Sequence, residues 1–312
     1  MLSALARPAP QARDRAAPLP AAIDAARLAT LAVESLIAEA SLTPKPGLVD
    51  GRGSGAHADL DLALMHRSAR ALFPCFSAMA GAVAGAAPSR QVREQLAAIG
   101  RDGEAAMFAA TVGINTHKGA IWSLGLLIAG AVMASRPGDA VEVAAIAGRI
   151  ARHSDSRMPT DASNGSRVAA RYGVPGARGE AQDGFPHVVR VGLPALRRAR
   201  SRGIAETFAR LDALLAIMAV LDDTCLLHRG GRDALDRAKT GAAEILRRGG
   251  TSTKPGRDAL DQLDVDLLAL NASPGGSGDL FAATLFLDSL THLSSGAPVG
   301  LEQNGDFSQW KP

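Results

Sequence analysis

Apolar residues recur every three or four positions along most of this chain, and that spacing restricts it to helical folds. One long stripe comprises Leu60, Leu64, Ser68, Leu72, Phe76, Met79 and Val83. A sheet would need several alternating, β-branched runs bounded by turns. Only 187–191 approaches that pattern, and this segment is more easily a helix entered through Pro186. We therefore predict an all-α fold, a single globular multi-helix domain with polar, glycine-rich motifs at its helix ends.

The stripes and their interruptions predict the helix boundaries. A first helix covers 21–41 and a second covers 60–83, where Pro74 should kink or split it. Asn115 or Thr116 is the predicted N-cap of an apolar helix ending near 134, and Asp139 caps the next. Further helices are predicted from about 90 and at about 161–172, 178–202, 204–222, 232–248, 257–270 and 276–290. An all-helical domain (21–292) then lies between a disordered Ala/Pro/Arg-rich tail (1–20) and a flexible tail (293–312).

Composition excludes several classes of protein. The net charge is only +3, and no basic stripe is interleaved with aromatic residues, so nucleic acid is not an expected partner. The most apolar run, 119–134, is shorter than the roughly 20 residues that span a bilayer. We therefore expect no membrane partner. The spacing of Cys75 and Cys225 fits neither a metal site nor a disulfide, so we expect a cytoplasmic protein. Arginine dominates the basic residues, which suits an anionic small molecule.

The first of five polar clusters runs from Glu39 to Asp61. Glu39 continues the buried stripe of the first helix, and a buried carboxylate needs a partner. Lys45 lies between two prolines that forbid helix there, and Asp50, His57 and Asp59 follow within a short distance. The alternative is a solvated connector rich in proline and glycine.

Two further clusters place cations beside glycine or at a helix start. In the segment 115–119, His117 and Lys118 lie at a helix N-terminus, where the macrodipole favours an anion. An ordinary cap with exposed charges is the alternative. Arg178 lies between glycines that let a ligand approach, unless it pairs internally with Glu180 or Asp183.

The last two clusters combine carboxylates with a helix end. Adjacent Asp222 and Asp223 close an apolar helix and suit a hard cation, or are simply solvated there. The segment 271–280 is a glycine-rich run before a helix, where backbone N–H groups can form an anion-binding nest, and Asp279 falls in the first turn. Together the five clusters supply Lys45, Lys118 and Arg178 for phosphates and several aspartates for Mg²⁺. That inventory predicts a site for a nucleoside triphosphate.

These motifs, in this order, resemble the triphosphoribosyl-dephospho-CoA synthase family from about residue 26 to 290. They are Thr43–Asp50, Gly55–Asp59, Thr116–Gly119, Gly176–Ala181 with Gly184–Pro186, and Ser273–Ser277 with Asp279–Leu280. The segments 221–224 and 228–231 resemble the malonate decarboxylase branch more than the citrate lyase branch. One departure is Asn164, which stands where many relatives have histidine.

The resemblance implies an all-helical pentosyltransferase that joins ATP to 3′-dephospho-CoA and releases adenine. The product, 2′-(5″-triphosphoribosyl)-3′-dephospho-CoA, would be the prosthetic-group precursor for an acyl carrier protein, here that of malonate decarboxylase. Mg²⁺ is expected with ATP. A homo-oligomer is one assembly that the sequence allows. The rival hypotheses are a metal-dependent all-α ribosyl hydrolase and a non-catalytic helical nucleotide-binding protein.

For this reaction we assign hypothetical roles to the residues of the five clusters. The predicted catalytic residues are Glu39, His57, His117, Glu180 and Asp279. The predicted phosphate-binding residues are Lys45, Lys118, Arg178, Gly275, Gly276 and Ser277. The predicted Mg²⁺ ligands are Asp50, Asp59 and Asp223.

Overall fold

The structure, a computed structural model, describes residues 24–157 and 164–295. Within these ranges the chain forms thirteen α-helices and one π-helix, with no strand beyond an isolated bridge between Asp50 and Gly53. The α-helices are α1 Ala25–Ser41, α2 Leu62–Ala71, α3 Phe73–Ala82, α4 Arg90–Ala110, α5 Lys118–Met133, α6 Ala140–Arg152, α7 Asn164–Tyr172, α8 Gly176–Gln182, α9 Leu193–Ser201, α10 Glu206–Met218, α11 Thr224–Arg247, α12 Lys254–Ala269 and α13 Gly275–Ser295. The predicted all-α, single-domain fold is confirmed.

Helices α1, α5 and α13 form the centre of the domain. Helix α13 packs against α1, α5 and α10, while α5 also packs against α6. Helix α5 is apolar on every side, as expected for a helix surrounded by others. At Gly130 a Cβ atom would overlap the carbonyl oxygen of Val143, so this glycine lets α5 and α6 approach closely. Aromatic residues make up only 4% of the chain, and small residues such as this glycine allow the helices to pack tightly.

Pro74 divides the second predicted helix, as its position predicts. Helix α2 ends at Ala71, and Pro74 occupies the first turn of α3, where its missing N–H costs no hydrogen bond. The Asp139 cap is also confirmed, because its carboxylate accepts from the N–H groups of Val141 and Glu142. For α5 the N-cap is His117 rather than Asn115 or Thr116, although Asn115 Oδ1 accepts from Lys118 N at 3.3 Å.

The prediction of one helix over 178–202 is wrong. Helix α8 ends at Gln182, and a turn with positive φ at Gly184 and Phe185 separates it from a π-helix, His187–Gly192, which continues into α9. Pro194 in the first turn of α9 has no N–H for a bond to the carbonyl of residue 190, which accounts for the wider π turn before it.

Other boundaries differ by a few residues. Helix α11 begins at Thr224, eight residues before the predicted start at 232, and includes a non-helical Gly231. Helix α13 extends to Ser295, beyond its predicted end at 290 and into the predicted C-terminal tail. The predicted N-terminal tail (1–20) and residues 161–163 and 296–312 lie outside the described residues. Across 24–157 and 164–295, no helix is both long and apolar enough to cross a bilayer.

Candidate active site

A cleft forms where the N-termini of α5, α11 and α13 meet α8. Its volume is about 440 Å³, open mouth included. Its walls are formed by Gly119, Trp122, Ser123, Gly176, Ala177, Glu180, Phe185, Leu221, Asp222, Asp223, Thr224, Gly276, Asp279 and Leu280. Residues from four of the five predicted clusters therefore line one cavity.

Asp279 is the carboxylate that this cleft leaves without a partner. Because α13 begins at Gly275, Asp279 lies in the second turn and not in the predicted first turn; it lies beside Gly119 of α5, where a Cβ atom would overlap its Oδ2. No described residue donates a hydrogen bond to it. Burial, followed by the nearby Glu39 and Asp223 carboxylates, raises the pKa of Asp279 well above its ordinary value. The cleft thus contains a carboxylate with an increased affinity for a proton.

Glu39 and Lys45 form a buried ion pair behind Asp279. The Lys45 ammonium donates to Glu39 Oε1 and to the Glu39 carbonyl oxygen, both at 2.6 Å. Lys45 is only 1% exposed and does not line the cleft. Glu39 also approaches α13, since a Cβ atom at Gly278 would lie 3.1 Å from Glu39 Oε1. In this structure Lys45 holds a carboxylate of the protein, whereas the sequence predicted a phosphate contact.

The predicted glycine-rich nest exists, and a carboxylate of the protein occupies it. Asp223 accepts from Gly276 N at 3.3 Å and from Ser277 N and Oγ at 2.7 and 2.9 Å. It also caps α11 by accepting from Cys225 N. Burial raises the pKa of Asp223, although these hydrogen bonds oppose the shift. Gly275, the neighbouring residue, approaches Cys225. The nest predicted to bind phosphate therefore joins α11 to α13.

The three aspartates predicted to bind Mg²⁺ do not form a common site. Asp50 accepts from the backbone N–H groups of Lys45 and Arg52 and pairs with the Arg52 side chain. Asp59 is 63% exposed and lies 3.9 Å from His57. Asp223 is engaged as described. Nowhere in the described part of the chain do three carboxylate, imidazole or thiol groups converge in an arrangement that could hold a metal ion.

The two histidines predicted to transfer protons are held in neutral form. His117 Nδ1 lies 2.8 Å from Ser68 Oγ, and its buried Nε2 has no partner among the described residues. Burial, Lys45 and His66 lower the pKa of His117 to about 3. His57 Nδ1 accepts from Arg229 Nη2 at 2.8 Å. Burial and Arg229 lower the pKa of His57 to about 4, although Asp59 opposes the shift. Neither ring is therefore in its cationic, imidazolium form at neutral pH.

Glu180 lines the cleft and pairs with a histidine that the sequence analysis missed. Its Oε1 accepts from His187 N at 2.9 Å, and its Oε2 lies 2.6 Å from His187 Nδ1. The alternative pairing of Glu180 with Arg178 is not observed. The signal was present in the sequence, because Gly184 and Pro186 indicate a turn that folds residue 187 back towards α8.

The Trp122 ring lines the cleft, and Lys118 and Arg178 directly adjoin the lining residues Gly119 and Ala177 in sequence. Lys118 is 45% exposed and pairs with Glu104 at 2.8 Å, and Arg178 is exposed on α8. The guanidinium of Arg93 lies over the Trp122 ring, 4.7 Å from its centroid, and Trp122 Nε1 donates to the Ala177 carbonyl oxygen. Burial lowers the pKa of Arg93, and the nearby Arg178 and Arg101 cations lower it further. Positive charge therefore lies beside a flat ring that lines the cleft.

Comparison with known proteins places the chain in a family. The profile of ATP:dephospho-CoA triphosphoribosyl transferases matches residues 25–297. The chain belongs to this family. Its resemblance to the synthase family is thereby confirmed, over the same part of the chain that carries the motifs. Asn164, the departure from many relatives, is exposed at the start of α7 and bonded to Arg167.

Two curated relatives align with most of the chain. A protein of Azotobacter vinelandii (strain DJ) is 55% identical over 278 residues, which are 88% of this chain and 95% of the relative. A protein of Pseudomonas aeruginosa (strain UCBPP-PA14) is 57% identical over 271 residues, 86% of this chain and 92% of the relative. Both are named probable 2-(5″-triphosphoribosyl)-3′-dephosphocoenzyme-A synthase. No solved structure gives a significant match to the chain.

Proposed function

We propose that this chain transfers the triphosphoribosyl group of ATP to the 2′-hydroxyl of 3′-dephospho-CoA and releases adenine. Its family and the names of its relatives support this reaction. The observation that carries the proposal is the Asp279 carboxylate, which lines the cleft and accepts no hydrogen bond from any described residue. A carboxylate of this kind is what an attacking hydroxyl group needs.

The reaction exchanges an N-glycosidic bond for an O-glycosidic bond. The 2′-hydroxyl attacks C1′ of the ATP ribose, and the transition state resembles an oxocarbenium ion, as in other glycosyl transfers. Asp279 takes the proton of the attacking hydroxyl, because its raised pKa makes it a stronger base than an ordinary aspartate. Its negative charge also stabilises the positive charge that develops at C1′.

The triphosphate binds at the mouth of the cleft in this proposal. Lys118 and Arg178 are the cations that solvent reaches there, and the N-terminus of α5 adds its positive dipole end. The enzyme must position the triphosphate without cleaving it, so binding is all that these groups have to do. The Trp122 ring, backed by Arg93, offers a stacking surface for adenine. Lys45 and the glycine-rich nest support the site by holding Glu39 and Asp223.

Mg²⁺ enters the proposal as a partner of the triphosphate. Asp50, Asp59 and Asp223 do not fit a resident metal site, because their oxygens are engaged or dispersed. Mg²⁺ keeps several waters and usually takes only one or two carboxylates together with substrate phosphates. Bound in that way it would neutralise phosphate charge, and no step of the mechanism passes through it.

The cellular role follows from the product. The segments 221–224 and 228–231 support the malonate decarboxylase branch, so we propose that the product becomes the prosthetic group of that enzyme's acyl carrier protein. Cys75 and Cys225 are both free thiols in the structure. Free thiols are compatible with the cytoplasm as the compartment.

The experiment that tests the function measures adenine release from ATP and Mg²⁺, with and without 3′-dephospho-CoA, followed by mass spectrometry of the CoA species. We expect adenine only when dephospho-CoA is present, together with the triphosphoribosyl adduct. Adenine without dephospho-CoA, accompanied by free ribose 5-triphosphate, would instead identify a hydrolase. No adenine under either condition would leave a nucleotide-binding protein.

Gly119→Ala should inactivate the enzyme by displacing Asp279. The new Cβ atom would overlap Asp279 Oδ2, so the carboxylate or the start of α5 has to move. A displacement of about 1 Å can cost on the order of 100-fold in rate, and we expect at least about a tenfold loss of kcat/KM. Gly81→Ala is the matched control, because this helical glycine has open space around it. Equal activities of the two variants would contradict the placement of Asp279.

A further inference from the structure

We propose that His187 is the proton donor to the departing adenine and that Glu180 is the positioning residue that orients it. This inference rests on the proposed function, because it assigns a role within that reaction. Both carboxylate oxygens of Glu180 contact His187: Oε1 accepts from the backbone N–H at 2.9 Å, and Oε2 lies 2.6 Å from ring Nδ1. The pair thus fixes the histidine at its backbone and at its ring.

The pairing determines which ring nitrogen exchanges a proton. An ionised carboxylate only accepts hydrogen bonds, so Nδ1 carries a hydrogen and Nε2 is left to take up and release a proton. Within the described chain Nε2 has no hydrogen-bond partner. The side chain is 25% exposed, whereas that of Glu180 is 6% exposed. Solvent can therefore restore the proton on His187 after each turnover, while Glu180 stays shielded.

The backbone between the two residues holds His187 against the Glu180 side of the cleft wall. Phe185 is buried and has a φ of 55°, a costly conformation for a bulky residue. Its N–H donates to the Glu180 carbonyl oxygen at 2.9 Å, which closes the turn that returns His187 to α8. Glu180 and Phe185 both line the cleft that contains Asp279. The strained turn therefore holds His187 against Glu180, a side chain of the wall that this cleft shares with the proposed base.

Adenine leaves more readily as a neutral molecule, so the reaction needs a proton donor as well as a base. The C1′–N9 bond breaks and its electron pair goes to adenine, while His187 Nε2 gives a proton to adenine N7. The new C1′–O2′ bond uses an electron pair of the 2′-oxygen, and Asp279 takes the hydroxyl proton. Solvent then returns one proton to His187 and removes one from Asp279, which closes the cycle. His57 and His117 cannot replace His187 here, because both are neutral at pH 7.

The test compares ATP with 7-deaza-ATP, whose base lacks N7 and so cannot be protonated there. We expect His187→Gln to lower kcat with ATP by about 100-fold, within the usual range for general acid catalysis. The wild type should lose a similar factor on 7-deaza-ATP. On 7-deaza-ATP, kcat of His187→Gln should be less than about threefold below that of the wild type, because both changes remove the same interaction and their effects are not additive.

Chemical rescue provides a second readout that a merely structural role would not give. Added imidazole should raise kcat of His187→Ala by about tenfold or more, and leave the wild type unchanged. His153→Ala, at the C-cap of α6, is the matched control and should show neither a rate loss nor rescue. Melting temperatures of all variants report whether the domain stays folded.

The outcomes separate this inference from the proposed function. If the wild type forms the adduct but His187→Gln keeps kcat within about twofold of it, His187 has no catalytic role. If His187→Gln lowers kcat by the same factor relative to the wild type on ATP and on 7-deaza-ATP, and imidazole does not rescue His187→Ala, the pair has only a structural role. A wild type that forms no adduct overturns the proposed function itself, and the role of His187 with it.

Discussion

Asp279→Asn should abolish most of the activity and at the same time stabilise the protein. Asparagine keeps the size of the side chain but cannot accept the hydroxyl proton, so we expect kcat to fall by about 100- to 10,000-fold, the usual contribution of a general base. The same change removes a titratable carboxylate from a half-buried position beside Glu39 and Asp223. Functional loss should therefore coincide with a higher melting temperature.

The direction of the stability change follows from the raised pKa of Asp279. Its folded-state pKa lies above the unfolded value of about 3.9, so the proton-linked stability is complete below that value and is lost as pH rises through the folded-state pKa. At pH 7 this proton-linked loss of stability is present in the wild type and absent from Asp279→Asn. The difference in melting temperature should therefore be largest near pH 7 and decrease as the solution is acidified towards pH 4.

Adenine release and differential scanning fluorimetry between pH 5 and 8 measure both effects. We expect the melting temperature to rise by a few degrees, since about 1 kcal/mol shifts it by roughly 2–4 °C in a domain of 150–250 residues. Asp261→Asn is the control, because Asp261 is exposed on α12 and should change neither quantity. Activity close to that of the wild type would remove Asp279 from the site, whatever happens to stability.

The sequence predicts helices and motif positions well because both depend on local spacing. The stripe that ends in Glu39, the proline break at Pro74 and the Asp139 cap involve residues within a few positions of one another. Each of these features was recovered. The helix start at Thr224 was missed because the cap of α11, Asp223, reads equally well as the end of the preceding helix.

The partners of the polar residues could not be predicted because they are set by tertiary packing. Asp223 meets Ser277 across 54 positions of sequence, so its carboxylate fills the nest that the glycines suggest for phosphate. Lys45, between two prolines, was predicted to bind phosphate, yet the turn folds it back onto Glu39 of the preceding helix. In both cases a group predicted to bind phosphate contacts a carboxylate of the protein.

These pairings explain how one domain tolerates three neighbouring carboxylates. Asp223 is compensated by backbone and hydroxyl donors, and Glu39 by the Lys45 ammonium. Asp279 alone is left without a donor among the described residues, so it bears the repulsion of the other two. The arrangement concentrates the electrostatic cost on the carboxylate that we assign to catalysis.

Lys45→Met should therefore be the most destabilising single change at the site. It leaves Glu39 buried and unpaired beside Asp223 and Asp279, and removal of one partner of a buried ion pair costs roughly 3–5 kcal/mol. At roughly 2–4 °C per kcal/mol, the melting temperature should fall by about 6–20 °C. Lys118→Met is the matched control, because the Lys118–Glu104 pair is largely exposed and should be worth at most about 1 kcal/mol.

The double variant Glu39→Gln/Lys45→Met distinguishes an unpaired charge from a packing defect. Without the carboxylate, the buried site holds no uncompensated charge, and the double variant should regain at least about half of the stability lost by Lys45→Met. The Glu39 carbonyl oxygen keeps the hydrogen bond from Leu42 N, so the lost ammonium leaves no orphaned backbone acceptor. Thermal denaturation of the three variants and the wild type measures this coupling. A Lys45→Met protein with wild-type stability and a raised KM for ATP would instead show that Lys45 binds phosphate, as its motif first predicted.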